Sequence, residues 1–333
     1  MATLISKVQA TVDFEKTGKQ FGYLDVPHSR DDSGWGTLRV PIAVIKNGSG
    51  PTILFTGGNH GDEYEGQIAL VKLGRALDPK DVAGRVILLP FLNLPAARAG
   101  KRTSPIDAVN MNRAFPGERK GTVSQLIAHF VSTLILPLCD AVMDFHAGGK
   151  TMMYQPFACI HRLEDKAMFE RSKAALLAIG APISLILQEL DAEGMLDTQV
   201  ESMGKMFLAA ELGGGGTTTP ATVGIADRGV RRVLAHLGIT RPTGENAPPT
   251  RFMDTAGPGC YSIANHGGLF EMLVEMGGTV QAGEPLAQIH SMERPGEEPI
   301  VYRAERDGML IGRHHPAIIQ QGDFMALLAY DAA

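Results

Sequence analysis

In the stretch FTGGNHGDEYEG, residues 55–66, an apolar run stops at two glycines, and a histidine and two acids follow within four positions. His60 and Glu63, separated by two residues, can both face one ion if the turn is tight, and Gly57, Gly58 and Gly61 give the backbone that freedom. A histidine and a carboxylate are two of the three protein ligands that a catalytic zinc takes, the fourth position being left to water. Spacing alone does not decide it, because pairs of this kind also occur as solvated loop residues. A third ligand is on offer in AVMDFHAGG, where His146 ends an apolar, strand-like run. Asp144 lies two positions earlier, on the same face of such a strand, from where a carboxylate can orient a ligand histidine. The alternative is a histidine packed at a strand end beside a structural aspartate.

Two further segments carry groups suited to amide chemistry. KRTSPIDAVNMNRAFPGE, about 18 residues, is polar, holds three cations and two asparagines, and has neither helical nor strand period. Irregular loops of this length are usually functional or disordered. Asn112 and Arg113 there can make a fork for a carboxylate, and Arg102 can polarise a carbonyl; ordinary surface arginines are the competing reading. In MFLAAELGGGG, Glu211 follows four apolar residues and leads into four glycines. A carboxylate at such a place is costly to bury, and partial burial raises its pKa toward that of a general base or acid; a glutamate reaching solvent is the alternative. No GxSxG elbow occurs, so a serine nucleophile is not indicated.

The elements that must hold these residues alternate. TILFTGG, RVILLPFL, AVMDFHAG, MMYQPFACI, SLILQEL and MFLAAELG read as strands, interleaved with helices at 65–78, 124–136, 164–179 and 224–238. This pattern predicts an α/β domain with a mostly parallel sheet flanked by helices. The preceding residues read as short strands and turns. A Pro- and Gly-rich stretch, 241–259, reads as a linker, which divides the chain into 1–245 and 254–333. The second part contains an internal echo, VQAGEPLA from Val280 and IQQGDFMA from Ile319, as expected of a small pseudo-symmetric β-domain. It is similar to the lipoyl and biotinyl carrier fold, but no lysine follows Lys205, which excludes the carrier role. Neighbouring His314 and His315 point to opposite faces of a strand and are expected at the surface.

Bulk properties narrow the class. The 333 residues are 44% hydrophobic and 20% charged, with net charge −5, which argues against a nucleic-acid surface. No window approaches the ~18 to 20 continuous apolar residues of a membrane span, and the N-terminus lacks the pattern of a signal peptide. Cys139, Cys159 and Cys260, odd in number and widely spaced, suit buried thiols in a reducing, cytoplasmic setting.

GGNHGDE, NMNRAFPG, DFHAGG and AAELGGGG stand in the order and approximate spacing of the succinylglutamate desuccinylase/aspartoacylase family, and the chain resembles that family over roughly residues 20–330. A narrower similarity, carried by DFHAGGKTMMYQPFACIHR and ELGGGGTTTPATVGIADRGVRR, is to its branch of N-acetyl-diaminobutyrate deacetylases of ectoine breakdown. The resemblance implies a zinc-carboxypeptidase-like α/β fold, its sheet mixed but mostly parallel and flanked by helices, with a small all-β domain of barrel-sandwich type covering the site's mouth. It implies one Zn2+ per chain on His60, Glu63 and His146, with Glu211 as catalytic carboxylate and Arg102 polarising the carbonyl. Asn112 and Arg113 match the pair that grips the substrate's α-carboxylate, while Asn110 stands where the family usually has aspartate. The expected substrate is a small N-acyl amino acid, foremost Nα-acetyl-2,4-diaminobutyrate, whose second amine calls for an acid among Asp107, Glu189, Asp191 and Asp197. Other N-acetyl or N-succinyl amino acids, short peptides, or a zinc-binding role without turnover are the alternatives. The sequence leaves the oligomeric state open, a homo-oligomer included.

Overall fold

Apolar runs closed by Gly or Pro form strands and amphipathic segments form helices over residues 6–242, 244 and 246–332, which the computed structural model describes. The outer bounds Met1, Glu245 and Ala333 of the two expected units lie outside the described residues. The first part supplies strands β1 (Gln9–Ala10), β2 (Gly18–Pro27), β3 (Thr37–Asn47), β4 (Thr52–Gly57), β5 (Gly84–Leu89), β6 (Ala141–His146), β7 (Met152–Tyr154), β8 (Phe157–Ile160), β9 (Ile183–Ile186) and β10 (Met206–Glu211). Helices α1 (Glu65–Ala76), α2 (Leu94–Ala99), α3 (Val123–Phe130), α4 (Lys166–Ile179), α5 (Leu196–Ser202) and α6 (Pro220–His236) lie between or after them. The remainder is all strand: β11 (Arg251–Asp254), β12 (Tyr261–Ile263), β13 (Gly268–Met272), β14 (Thr279–Val280), β15 (Pro285–His290), β16 (Ile300–Arg303), β17 (Gly308–His314), β18 (Ile318–Ile319) and β19 (Phe324–Asp331).

One large sheet runs β1-β2-β3-β5-β4-β6-β10-β8-β9-β11-β19-β17-β14, with β12 on β19 and β7 on β17. Its centre is parallel, β5, β4, β6 and β10 lying side by side in one direction. The whole is mixed, as the family resemblance implies, though less parallel than expected toward its two ends. The N-terminal residues make a long antiparallel pair, β2 with β3, instead of short strands, and β8 enters antiparallel to β10. The run read as one strand at MMYQPFACI is two, because β7 leaves the central sheet to pair with β17 before β8 returns. The stretch 241–259 is not only a linker: β11 within it pairs with β9 on one side and β19 on the other, continuing the sheet into the C-terminal part.

Strand parity divides the core. Ile53 and Phe55 of β4, Met143 and Phe145 of β6, and Met206, Leu208 and Ala210 of β10 face α1, α4 and α6. Leu54, Val142 and Phe207 face the opposite way, toward α3. On that second face the even-numbered positions of β6 run on through Asp144 to His146. β10 is in register with β6, Ala209 opposite Asp144 and Glu211 opposite His146. Pairing therefore carries Glu211 to the same sheet face as His146 and leaves it adjacent.

The C-terminal echo is structural. β14–turn–β15 and β18–turn–β19 are its two copies, and each turn is closed by its acid: Gln281 N donates to Glu284 Oε2 (2.8 Å) and Gln320 N to Asp323 Oδ2 (2.9 Å). The copies exchange sheets, since β14 and β19 belong to the large sheet while β15 and β18 join β13 and β16 in a separate four-stranded antiparallel sheet. His314 departs from its expected surface placement: it is buried, its Nε2 3.0 Å from the Ile318 carbonyl. All three cysteines are buried and free. Among the described residues no helix is long and apolar enough to cross a membrane.

The first turn of α1 lies against β6 so closely that a Cβ at Gly66 would stand 2.1 Å from the Phe145 Cβ. Gly66→Ala gains about 0.5–1 kcal/mol of helix propensity, but overpacking costs about 1–3 kcal/mol, so the clash wins. A lower denaturation midpoint at unchanged m-value is the expected outcome; a midpoint at or above that of the parent chain would show that α1 does not press on β6.

Candidate metal centre and active site

β4 ends in the turn that bears His60 and Glu63. Gly61 is required there by close approach: a Cβ would lie 2.0 Å from the Ala96 carbonyl carbon of α2, and its N–H donates to Lys101 O at 2.9 Å. This contact folds the turn back over the end of β6. The two imidazoles consequently meet, with ring centroids 5.1 Å apart. Glu63 bridges them, Oε1 lying 2.8 Å from His60 Nδ1 and Oε2 2.9 Å from His146 Nδ1. The ligand atoms of His60, Glu63 and His146 all lie within 4.8 Å of one another, and all three residues are buried.

The far nitrogen of each ring is also held. His60 Nε2 is 3.1 Å from Asn110 Oδ1, and His146 Nε2 is 2.8 Å from Asp144 Oδ2. Asp144, fully buried, accepts in addition from Thr56 Oγ1 (2.7 Å) and Asn59 Nδ2 (2.9 Å). Burial raises the Glu63 carboxyl, but both histidines outweigh it and hold it well below the usual range. Burial works against a proton on His146, yet Asp144 and Glu63 win and raise its pKa well above the usual value. In His60 burial prevails, helped by Arg102 and opposed by Glu63, and its pKa falls. Two Nδ1 atoms and one carboxylate facing a common point, with the remote ring nitrogens fixed by Asn110 and Asp144, fit a divalent cation such as zinc.

The remaining sequence candidates line the same cavity, which has a volume of about 140 Å³. Arg102 Nη1 is 3.4 Å from Glu63 Oε1. Asn112 Oδ1 accepts from Asn59 Nδ2 (3.1 Å) and Leu196 N (3.0 Å), which leaves its Nδ2 as the donor for a ligand. Arg113 donates from Nη1 to Asn112 O (2.7 Å) and pairs through Nε with Asp191 (3.3 Å). Glu211 reaches the cavity with Oε2 buried and unpartnered, and burial, then the charge of Glu63, push its carboxyl up to about 8. A cation held beside it would favour the carboxylate form.

Of the four acids offered for a substrate amine, only Glu189 and Asp197 line the cavity. Asp107 instead accepts from Ser124 N and Oγ (2.8 and 3.0 Å), and Asp191 faces Arg113. Sequence reasoning did not find Thr56, Asn59, Tyr154 or His161. Strand parity could have indicated Thr56, which sits opposite Asp144; the others become visible only once the chain is folded. Asn110 was noted only as a departure from the family pattern, and its place against His60 Nε2 needs an acceptor without needing a charge.

Comparison with known proteins identifies the family. The succinylglutamate desuccinylase/aspartoacylase catalytic domain matches residues 49–237, more than half of the chain. The N-alpha-acetyl-L-2,4-diaminobutyric acid deacetylase of Halomonas elongata is 46% identical over 327 residues, covering 97% of this chain and 95% of that protein. Among solved structures, the product-bound ectoine utilization protein EutE (DoeB) of Ruegeria pomeroyi superimposes with a TM-score of 0.95 at 45% identity, covering 97% of this chain and 98% of that one. A succinylglutamate desuccinylase from Silicibacter sp. gives 0.93 at 46% identity, with 98% and 99% covered. With its motifs, its fold and nearly its full length shared in this way, the chain belongs to the succinylglutamate desuccinylase/aspartoacylase family and is a hydrolase of N-acyl amides.

Proposed function

We propose that this chain removes the acetyl group from Nα-acetyl-L-2,4-diaminobutyrate, using one zinc ion on His60, Glu63 and His146. The observation that carries the reading is the convergence of those three side chains on one point in a small cavity that also receives the unpartnered Glu211 carboxylate. The substrate follows from the Halomonas relative, which is named for it and is similar along almost the whole chain.

Zinc, when bound, supplies Lewis acidity that lets water lose a proton near pH ~7 and that polarises a carbonyl. The chain's own groups do the rest. Asn112 Nδ2 and Arg113 hold the α-carboxylate and set the amide across the cavity. Glu211 takes a proton from the attacking water and hands it to the nitrogen as the C–N bond breaks, and the remaining hydroxyl proton of the acetic acid passes to the freed amine, so that acetate and an ammonium group are left. The Arg102 guanidinium, already within 3.4 Å of Glu63, faces the oxygen on which negative charge develops. Asp144, itself fixed by Thr56 and Asn59, holds the His146 ring so that Nδ1 stays directed at the ion. Residues 254–333 are taken as a separate unit of barrel-sandwich type, following a first unit that ends near 245. Its part is to restrict access, acting through β17, which pairs with β7 and so carries Met152 and Tyr154 of the cavity wall.

Glu211→Gln is expected to keep its metal and to lose about 10²–10⁴-fold in kcat, measured by metal analysis beside steady-state kinetics; near parental turnover would remove the base assignment. His146→Ala should lose the ion altogether. Asp144→Asn should bind metal about 10–100-fold more weakly and recover activity when metal is supplied in excess, whereas unchanged affinity in a chelator competition would show that it does not orient the ligand. The substrate is tested with the two acetyl isomers of 2,4-diaminobutyrate beside N-acetylaspartate and N-succinylglutamate. The Nα-acetyl isomer should give the highest kcat/KM, and faster turnover of the succinyl compound would overturn the assignment.

A further inference from the structure

The same cavity holds a second group that the hydrolytic step leaves unused. His161, just beyond β8, Glu189, in the loop after β9, and Asp197, in the first turn of α5, offer ligand atoms all within 4.8 Å of one another, and all three line the site cavity. The His161 ring lies flat against Phe207 at 6.3 Å, and its Nδ1 is 3.1 Å from each oxygen of Glu201. Its single positive charge is thus committed to Glu201. Glu189 comes no closer than 3.9 Å to His161 Nε2.

Asp197 is only 5% exposed. Both hydrogen bonds it accepts, from Thr198 N and Thr198 Oγ1, end on Oδ1. Its Oδ2 accepts none, and the residue forms no ion pair among the described residues. Arg113, whose charge also reaches Glu189, is itself paired with Asp191. Three carboxylates, Glu189, Asp197 and Glu201, therefore crowd one imidazole, and the shortfall falls on Glu189 and Asp197. Carboxylates drawn from water without a counter-charge in contact are unfavourable. Accordingly Glu189 is pushed up to about 7 by burial and by the charge of Asp197. A cation is what this corner lacks.

We propose that Glu189 and Asp197 form the subsite for a primary ammonium group on the substrate's side chain, so that the enzyme selects N-acyl amino acids carrying a side-chain amine. The inference rests on the deacylase reading and specifies which residues make its choice of substrate. A metal is the other occupant that a His, Glu and Asp group could take, and the metal count in the test below separates it from an ammonium. An ammonium brings three donors, enough for Asp197 Oδ2 and the Glu189 carboxylate together.

The test uses the metal-loaded enzyme with Nα-acetyl-2,4-diaminobutyrate and its neutral counterpart Nα-acetylnorvaline, with calorimetric binding of the two free amino acids as a second readout. The parent enzyme should prefer the cationic substrate by about 10²-fold or more in kcat/KM and bind 2,4-diaminobutyrate more tightly than norvaline. Asp197→Asn and Glu189→Gln should each reduce that preference about 10–100-fold, chiefly through KM. Equal turnover of both amides by the parent overturns the subsite while leaving the deacylase reading intact, and needs no variant. Equal loss on both substrates in the variants overturns it as well, as a merely structural effect. A second equivalent of metal that disappears in Asp197→Asn would assign the cluster to an ion instead. If no N-acyl amino acid is hydrolysed at all, the deacylase reading falls and takes the inference with it.

Discussion

The Glu63 carboxylate, shared between two imidazoles, is the interaction on which the rest of the site depends. One buried carboxylate alone would be expelled or protonated. Glu63 stays charged because His60 and His146 approach it from two chain segments 83 residues apart in the case of His146. For that meeting to occur, the glycine turn after β4 must fold tightly onto α2, β6 must end at His146, and β4 and β6 must be neighbours in parallel register. The outer contacts serve the same end: Thr56, Asn59 and Asp144 on one ring and Asn110 on the other fix the imidazoles so that the convergent nitrogens have only one direction in which to face. Such a group has its repulsions balanced only when something positive stands at its centre, whether a proton on His146 or a divalent ion.

What the sequence discloses of this arrangement follows from the reach of each signal. Period-2 alternation in AVMDFHAGG is local, and it correctly places Asp144 on the face of His146, where the two are now bonded. The nearness of Glu211 to His146 is not local. It results from β10 lying beside β6 in register, and no pattern within MFLAAELGGGG specifies that neighbour. The short helix α5, LDTQVES, has too few apolar residues to display a helical period, so Asp197 could be named as an acid near the motifs but not located. Likewise β11 hides in a Pro- and Gly-rich stretch because four residues suffice for a strand once β9 and β19 offer their edges on either side.

The C-terminal strands raise the question of why a hydrolase should carry them. None of the cavity-lining residues comes from beyond Glu211, so these strands supply no chemistry directly. They act on backbone. β17 takes β7 out of the central sheet and pairs with it on one side, while on the other Tyr154 N donates to Gly213 O and Gly215 N to Met152 O. The echo of VQAGEPLA in IQQGDFMA meets the same need, since each copy runs from one sheet into the other and ties the two together through one short turn.

Charge of both signs lines one small cavity: Arg102, Asn112 and Arg113 bring donors and positive charge, and Glu189 and Asp197 bring carboxylates, all within about 140 Å³. The two sets are neighbours, since Asn112 Oδ1 accepts from Leu196 N, next to Asp197, and Arg113 pairs with Asp191 of the segment that leads to α5. On the proposed reading, an acyl amino acid with an anionic carboxylate and a cationic side chain would meet both sets side by side, and exchanging its two charged ends would set like charges together. The same distribution of charge would then serve substrate choice and the orientation of the amide toward the His–Glu–His group and the proposed base Glu211.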